Sequence, residues 1–513
     1  MRSAITGTTR GRLRSRAARL LAIGLLTAAG CAIPTTAGAG IATAAPVPSL
    51  PGTSPDFLGA PATAQPITGV PAIPRHPGLA ANGDSGIHGD GWMSDTYTRP
   101  GPLGHDTRVD SLLLASECGS IAFDRAGRIV ATCPGLNPGL YLIDPAAMRV
   151  LGRYPLPGRA PGAFLQPGAF SNFGGGAYFY LDGQDRAVVG ANTGHVMVLA
   201  ENPAADGFTL EREYDLTGVL REGESLNSVL PDSHGRLWFV AKHNGVVGTI
   251  DPETGAIQVI RLGDGADGEI ENSFAVGADG AVYIATNREM LRLDAGPGGE
   301  PRVTWRTTYA NSGQTKPGQV DDGTGTTPTL LPGGYVAITD NADPMNVVVY
   351  RTDPAAARRE VCSVPVFAKG AGNTENSLIG AGNSLIVENN YGYSGPEATL
   401  GGRTTTPGFA RVDIDDDGAG CHLVWSNTSV AAPSVVAKLS LANGLIYTYT
   451  KGSDATDPWY WTTLDFRTGN LVWQRRSGSG PLYNNNYAGL ALGPDGAAYL
   501  GVLGGLISLR DGG

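Results

Sequence analysis

A turn flanked by two short apolar runs recurs eight times along this chain, at Gly127, Asp185, Gly235, Gly280, Gly334, Asn383, Gly444 and Gly496, at a mean spacing of about 53 residues. A unit of that length cannot bury its own apolar face, so neighbouring units must stack. The run after each turn is rich in β-branched and aromatic residues, as in GRLWFVAK, GAVYIATN, GYVAITDN, NSLIVENN, GLIYTYTK and GAAYLGVL. Most units carry a second hairpin further on, such as TIDPETGAIQVI or TTLDFRTGNLVWQ. Two hairpins make four strands. The expected fold is all-β: a β-propeller of eight four-stranded blades over residues 106–513, with seven the alternative if a terminal unit is misread. The last unit stops at GLISLRDGG, one strand short, and β-type residues near Thr107, Arg108 and Val109 would supply the missing strand and close the ring.

The first 105 residues lack this periodicity. Arg2, Arg10, Arg12, Arg14, Arg16 and Arg19 precede an apolar stretch from Leu20 to Ile33, which is the right length for a signal-peptide core and too short for a membrane anchor. Small-residue cleavage patterns follow at Ala37-Gly38-Ala39 and Ala42-Thr43-Ala44, and the second is preferred, giving a signal peptide over 1–44 and a secreted product. Cys31, after Ala28-Ala29-Gly30, is the alternative, a lipid attachment site. Residues 45–105, rich in Pro, Ala and Gly, read as an extended low-complexity spacer without a core. No other run is apolar enough to serve as a transmembrane anchor. Removing the leader takes six positive charges from a chain already at −10, and so acidic a body repels phosphate backbones, which excludes nucleic acid as a partner.

Four cysteines remain after cleavage, an even number suited to an oxidising compartment. Cys118 and Cys133 flank the hairpin SIAFDRAGRIVAT and come opposite each other when it folds about Asp124–Gly127. That pairing leaves Cys362 with Cys421.

In a propeller, the loop entering each innermost strand and the loop leaving the second strand share one face near the axis. Seven residues beyond the turn landmarks stand Pro134, Asn192, Lys242, Asn287, Asn341, Asn390, Lys451 and Leu503, mostly amides and lysines. Their neighbours His243, Asp340, Glu388 and Asn389 add charge. The starts of the innermost strands contribute Asn227, Glu271, Asn272, Asp322, Thr327, Glu375, Asn376, Asn485 and Asn486. Converging carboxylates and amide oxygens suit calcium, which takes six to eight oxygen ligands, or a small polar molecule held by many hydrogen bonds. Glu271 and Glu375 are the expected metal ligands. Asp340, Glu388, His243, Lys242 and Lys451 are the candidate catalytic groups, and the two lysines belong to opposite units of the ring. Asn227, Asn272, Asn287, Asp322, Asn341, Asn376, Asn390 and Asn486 are the candidate ligand-binding residues. A separate run, Asp413-x-Asp415-x-Asp417-Gly418, has the spacing of a calcium loop, but its twelfth position is Val424 rather than an acid. The sequence carries no His-Glu-x-x-His, Gly-x-Ser-x-Gly or phosphate-loop motif.

TLDFRTGNLVW, with Asp465, Thr468, Gly469 and Trp473, resembles the repeat of quinoprotein alcohol dehydrogenase-like propellers. Asp251-Pro252-Glu253-Thr254-Gly255 repeats its first half, and Trp305 and Trp425 take the tryptophan place in two other units. The resemblance implies that these tryptophans dock neighbouring blades. It also implies a calcium beside an acidic base, with pyrroloquinoline quinone (PQQ) as oxidant. The family's disulfide between adjacent cysteines has no counterpart here. Two kinds of function stay open: an enzyme, either a quinone-type oxidoreductase or a calcium-assisted hydrolase or lyase, and a binding scaffold without turnover.

Overall fold

The computed structural model describes residues 45–158 and 178–512, and the expected signal peptide, with Cys31, lies outside the described residues. Eight sheets are arranged as blades around a ring. Blades 1 to 7 span residues 120–155, 179–215, 226–261, 275–308, 329–365, 379–427 and 438–479, each an up-and-down antiparallel meander. Blade 8 takes three strands from residues 490–510, and its fourth is Arg108–Leu113, which pairs with Gly505–Arg510 from Arg108↔Arg510 to Leu113↔Gly505. The ring is thus closed by a strand from the N-terminal side, as the truncated last repeat predicts.

The pattern that builds each blade is visible in its burial. Second and third strands lie between neighbouring blades and are mostly apolar, as in Leu237–Ala241 and Val246–Ile250, both buried along their whole length. Outermost strands face water on one side and alternate, as in Pro301–Thr308. Docking between blades follows the expected tryptophans in two cases. Trp305 Nε1 donates to Thr352 O at 3.2 Å, joining blade 4 to blade 5, and Trp425 Nε1 donates to Phe466 O at 3.0 Å, joining blade 6 to blade 7. The receiving turn is pinned by Asp465 Oδ1, which accepts from the backbone N–H groups of Arg467 and Thr468. Gly469 closes it at φ +69°, and a Cβ there would lie 2.4 Å from the Trp425 ring, so glycine is required for both reasons. Trp473 is also fully buried but packs under Gly104 and stacks on Phe57, both from the N-terminal segment.

Both disulfides form as expected. Cys118–Cys133 ties the two inner strands of blade 1, and Cys362–Cys421 joins the outermost strands of blades 5 and 6. Among the described residues no helix is long and apolar enough to cross a membrane.

Residues 45–105 are extended, but they are not a detached spacer. Val47, Ala62, Leu79, Ala80, Met93 and Tyr97 are buried. Phe57–Gly59 adds a strand to the outer edge of blade 7, and Thr96–Tyr97 adds one in parallel to its innermost strand. Between them the chain crosses the end of the channel. Leu181 N–H donates to Ser85 O, Val276 to Gly91 O, Leu330 to Trp92 O, Gly380 to Ser94 O and Leu439 to Asp95 O, one innermost strand after another. Composition missed this because the bonds use backbone groups and leave no side-chain period.

Candidate functional site

The innermost strands run from the polar face of the ring, here called the mouth, to the end where the N-terminal segment is bonded to them, here called the blocked end. The blocked end contains buried charge. Lys438 Nζ meets Asp95 Oδ1, and His88 Nδ1 lies 3.1 Å from both oxygens of the same carboxylate. Burial alone would raise Asp95, but Lys438 and His88 hold it below the ordinary carboxylate range. His88 Nε2 is 3.4 Å from Ser377 Oγ, and Tyr178 stacks over the imidazole.

At the mouth, one carboxylate oxygen each from Glu269, Glu271 and Asp321 lie within 4.8 Å of one another. Glu269 and Glu271 sit two apart on the extended run leading into blade 4, so both reach the same side. Asp321 comes from the loop leading into blade 5. Lys242, immediately after the second strand of blade 3, places Nζ 2.6 Å from Glu271 Oε2. Burial pushes Glu271 up to about 8 despite this ammonium, with Asp321 and Glu269 adding repulsion. Burial likewise raises Asp321 to about 6, and its Oδ2 is shut off from water without a hydrogen-bond partner. Glu375, from the start of blade 6, stands beside this group and is raised well above the usual range by burial and by Asp321 and Glu271. Its Oε1 accepts from Val320 N–H at 3.3 Å. Deeper lies Glu388, raised to about 8 by burial; Asn376 and Asn390 donate to its Oε1, and its Oε2 has no partner.

The expected ring is therefore assembled in part. Glu271, Glu375, Lys242, Glu388, Asn376 and Asn390 converge around the mouth and upper channel. Asn272 belongs there too, since Tyr178 OH donates to its Oδ1 at 3.0 Å. His243 stands at the rim, half exposed, with Nδ1 3.3 Å from Glu269. Asn485 binds backbone carbonyls at Ala488 and Gly501, and Asn486 N–H donates to Glu117 Oε1 at 2.6 Å.

Several expected groups serve local structure instead. Asp322 is committed to Arg288 at 2.8 Å and to Asn287, and its neighbour Asp321 is the one that enters the cluster. Asp340 accepts from Ala342 N–H, Asn346 N–H and Asn346 Nδ2, which makes it a turn residue. Lys451 pairs with Asp457 at 2.9 Å inside its own loop, so it does not face Lys242 across the channel. Asn227 holds the backbone carbonyls of residues 270–272, Asn341 those of Gln314 and Asp322, and Asn389 that of Ala371. Nor do Asp413, Asp415 and Asp417 converge. They bind Arg411, His422 and the N–H of Ala419 respectively, around a hairpin turn.

No family model matches the sequence. An uncharacterized protein of Archaeoglobus fulgidus is 25% identical over 366 residues, which span 65% of this chain and 70% of that protein. Among solved structures, a streptogramin B lyase shares 12% identity at a TM-score of 0.40, covering 79% of this chain and 97% of its own. The dihydro-heme d1 dehydrogenase NirN, in complex with DHE, shares 13% at a TM-score of 0.44, covering 74% and 69%. Likeness at this level transfers no residue's role.

Glu269 and Asp321 went unrecognised in the sequence for different reasons. Glu269 shares a face with Glu271 by simple alternation, a signal that was available. Asp321 and Asp322 stand side by side in an irregular loop, where no period says which one turns inward.

Proposed function

We propose that this protein is a secreted propeller whose channel mouth binds a small polar molecule together with a divalent cation. The observation that carries this reading is the convergence of Glu269, Glu271 and Asp321. Three carboxylates this close, two of them protonated more readily than usual, outnumber the single ammonium of Lys242 beside them, and a further proton or a cation among them relieves the remaining repulsion. An oxygen-only donor set favours calcium over metals that prefer nitrogen or sulfur. The two disulfides fit an oxidising compartment.

As an enzyme, the site would use the cation to polarise a carbonyl or hydroxyl, with Glu375 beside it, a carboxyl that burial makes slower to give up its proton, as the proton-transfer group. The quinone fits less well. Cation donors are in place, but neither disulfide joins adjacent residues, and Cys362–Cys421 lies on the outer rim. Binding without turnover is favoured by one specific observation: Asp340 and Lys451, two of the expected catalytic groups, are engaged locally.

Calorimetric titration of calcium tests the cation site. Glu271 and Asp321 must lose their protons to become ligands, so affinity rises from pH 6 to pH 8 with proton release, and then levels. Glu271→Gln and Asp321→Asn each weaken binding at least about tenfold, a difference of about 1.4 kcal/mol. If calcium leaves no heat at pH 8 and does not shift the melting temperature, the reading is wrong.

A further inference from the structure

The lysine and aspartate at the blocked end are brought together by the backbone. Thr96–Tyr97 runs parallel to Leu439–Ser440 with Thr96 opposite Leu439, and Leu439 N–H donates to Asp95 O. One step back along this register, Asp95 stands opposite Lys438, from which 343 residues of sequence separate it. Asp95 is held at φ +55°, so the pairing rather than its own preference sets its direction. Lys438 Nζ donates to Asp95 Oδ1 and to Ile87 O.

Of the three lysine–carboxylate pairs among the described residues, this one is the most completely shut off from water. Its side chains are 1% and 0% exposed, against 16% and 5% for Lys242 and Glu271, while Lys451 and Asp457 pair within one loop. Glu388 reports the same dryness, since burial raises it to about 8 although it is close enough to feel the charges of both Asp95 and Lys438. Ions in such a place are held at a desolvation cost. That cost disappears if the two groups condense, because an amide carries no charge and the water formed can leave for the solvent.

We infer that Lys438 and Asp95 join in an isopeptide bond that ties the N-terminal segment covalently to blade 7. The ion-paired chain folds first and the bond follows. A proton passes from the Lys438 ammonium to Asp95 Oδ1 along the hydrogen bond they share. The freed Nζ lone pair attacks Cγ, and as the N–C bond forms an electron pair moves onto Oδ2. His88 Nδ1, 3.1 Å from both carboxylate oxygens, is placed to donate to the charge that develops there. Return of that pair breaks the Cγ–Oδ1 bond, and Oδ1 departs as water with a second proton from the nitrogen. Of the three ammonium protons, two leave in the water and one stays on the amide, so no oxidant, reductant or further reactant is needed. Fixed contact supplies the orientation that free amine and acid lack in solution.

Mass spectrometry of the purified, folded protein tests this. After reduction and proteolysis, Asp95 and Lys438 should emerge in a single branched peptide, one water lighter than the sum of its two arms. Lys438→Arg keeps the positive charge but has no amine to react, and should yield the two arms separately at full mass, with circular dichroism confirming that the propeller is intact. Asp95→Ala should do the same. Recovery of the native Asp95 and Lys438 in separate peptides of full mass overturns the inference. So does a loss of water that persists in Lys438→Arg, which marks a cyclic imide formed by Asp95 with its own backbone.

Discussion

Replacing Glu388 by glutamine should flatten the pH dependence of stability. The native carboxyl titrates near 8, against an ordinary value of 4.5. Between those limits the folded chain keeps a proton that the unfolded chain releases, so stability is fully present below about 4.5 and is lost as pH rises toward 8. Each pH unit in that window is worth about 1.4 kcal/mol, and the slope fades near the upper limit, so raising pH from 6 to 8 removes about 2 kcal/mol through this group alone. Entropy of unfolding near 2 cal/mol/K per residue makes 1 kcal/mol equivalent to about 1 °C in a chain of this size. The expected change is therefore a fall of about 2 °C in melting temperature that Glu388→Gln does not show. The glutamine oxygen still accepts from Asn376 and Asn390, and its amide occupies the place of the partnerless Oε2. Differential scanning fluorimetry without divalent cations at pH 6, 7 and 8 measures the difference, in which the contributions of Glu271 and Asp321 cancel. Parallel curves for the two proteins would refute the argument that burial dominates at Glu388.

Other consequences are open to direct measurement. Opening Cys362–Cys421 by a double alanine substitution should cost about 4 kcal/mol by loop entropy for a separation of 59 residues, seen as a lower melting temperature with the propeller's circular dichroism retained. Lys438→Met leaves the buried Asp95 with only His88 beside it and should destabilise by about 3 kcal/mol relative to the ion-paired form, whereas Lys438→Met with Asp95→Asn should recover much of that loss; denaturant unfolding of both variants checks the pairing. Trp425→Phe keeps most of the ring area but removes the donor to Phe466 O, and should lower stability by about 1 kcal/mol.

The propeller was legible because its strands are read by side-chain patterning: inner strands are mostly apolar, outer ones alternate, and turn residues recur between them. The strand from Arg108 to Leu113 could be anticipated because the final repeat lacked one. What lies between Val47 and Tyr97 could not, since a chain held by backbone bonds to successive strand ends has the composition of a loop. The candidate site shows the same division. Lysines and acids at strand ends can be assigned to one face from the repeat, but face alone does not separate Asp321, which points into the cluster, from Asp322, which pairs with Arg288. Lys451 was misassigned to the channel because its partner, Asp457, lies six residues away in its own loop.

The route of the N-terminal segment also imposes an order of assembly. Its backbone caps the strand ends of five blades, and Arg108–Leu113, just downstream, waits for Gly505–Arg510. The earliest part of the globular chain to be synthesised thus depends on the latest, and the first blade stays without its eighth neighbour until nearly the whole polypeptide is available. Such long-range closure slows folding and leaves strand edges uncovered in the meantime. Once closed, the ring cannot easily lose a single blade: prising one out would have to break the seam or withdraw the segment threaded across its centre.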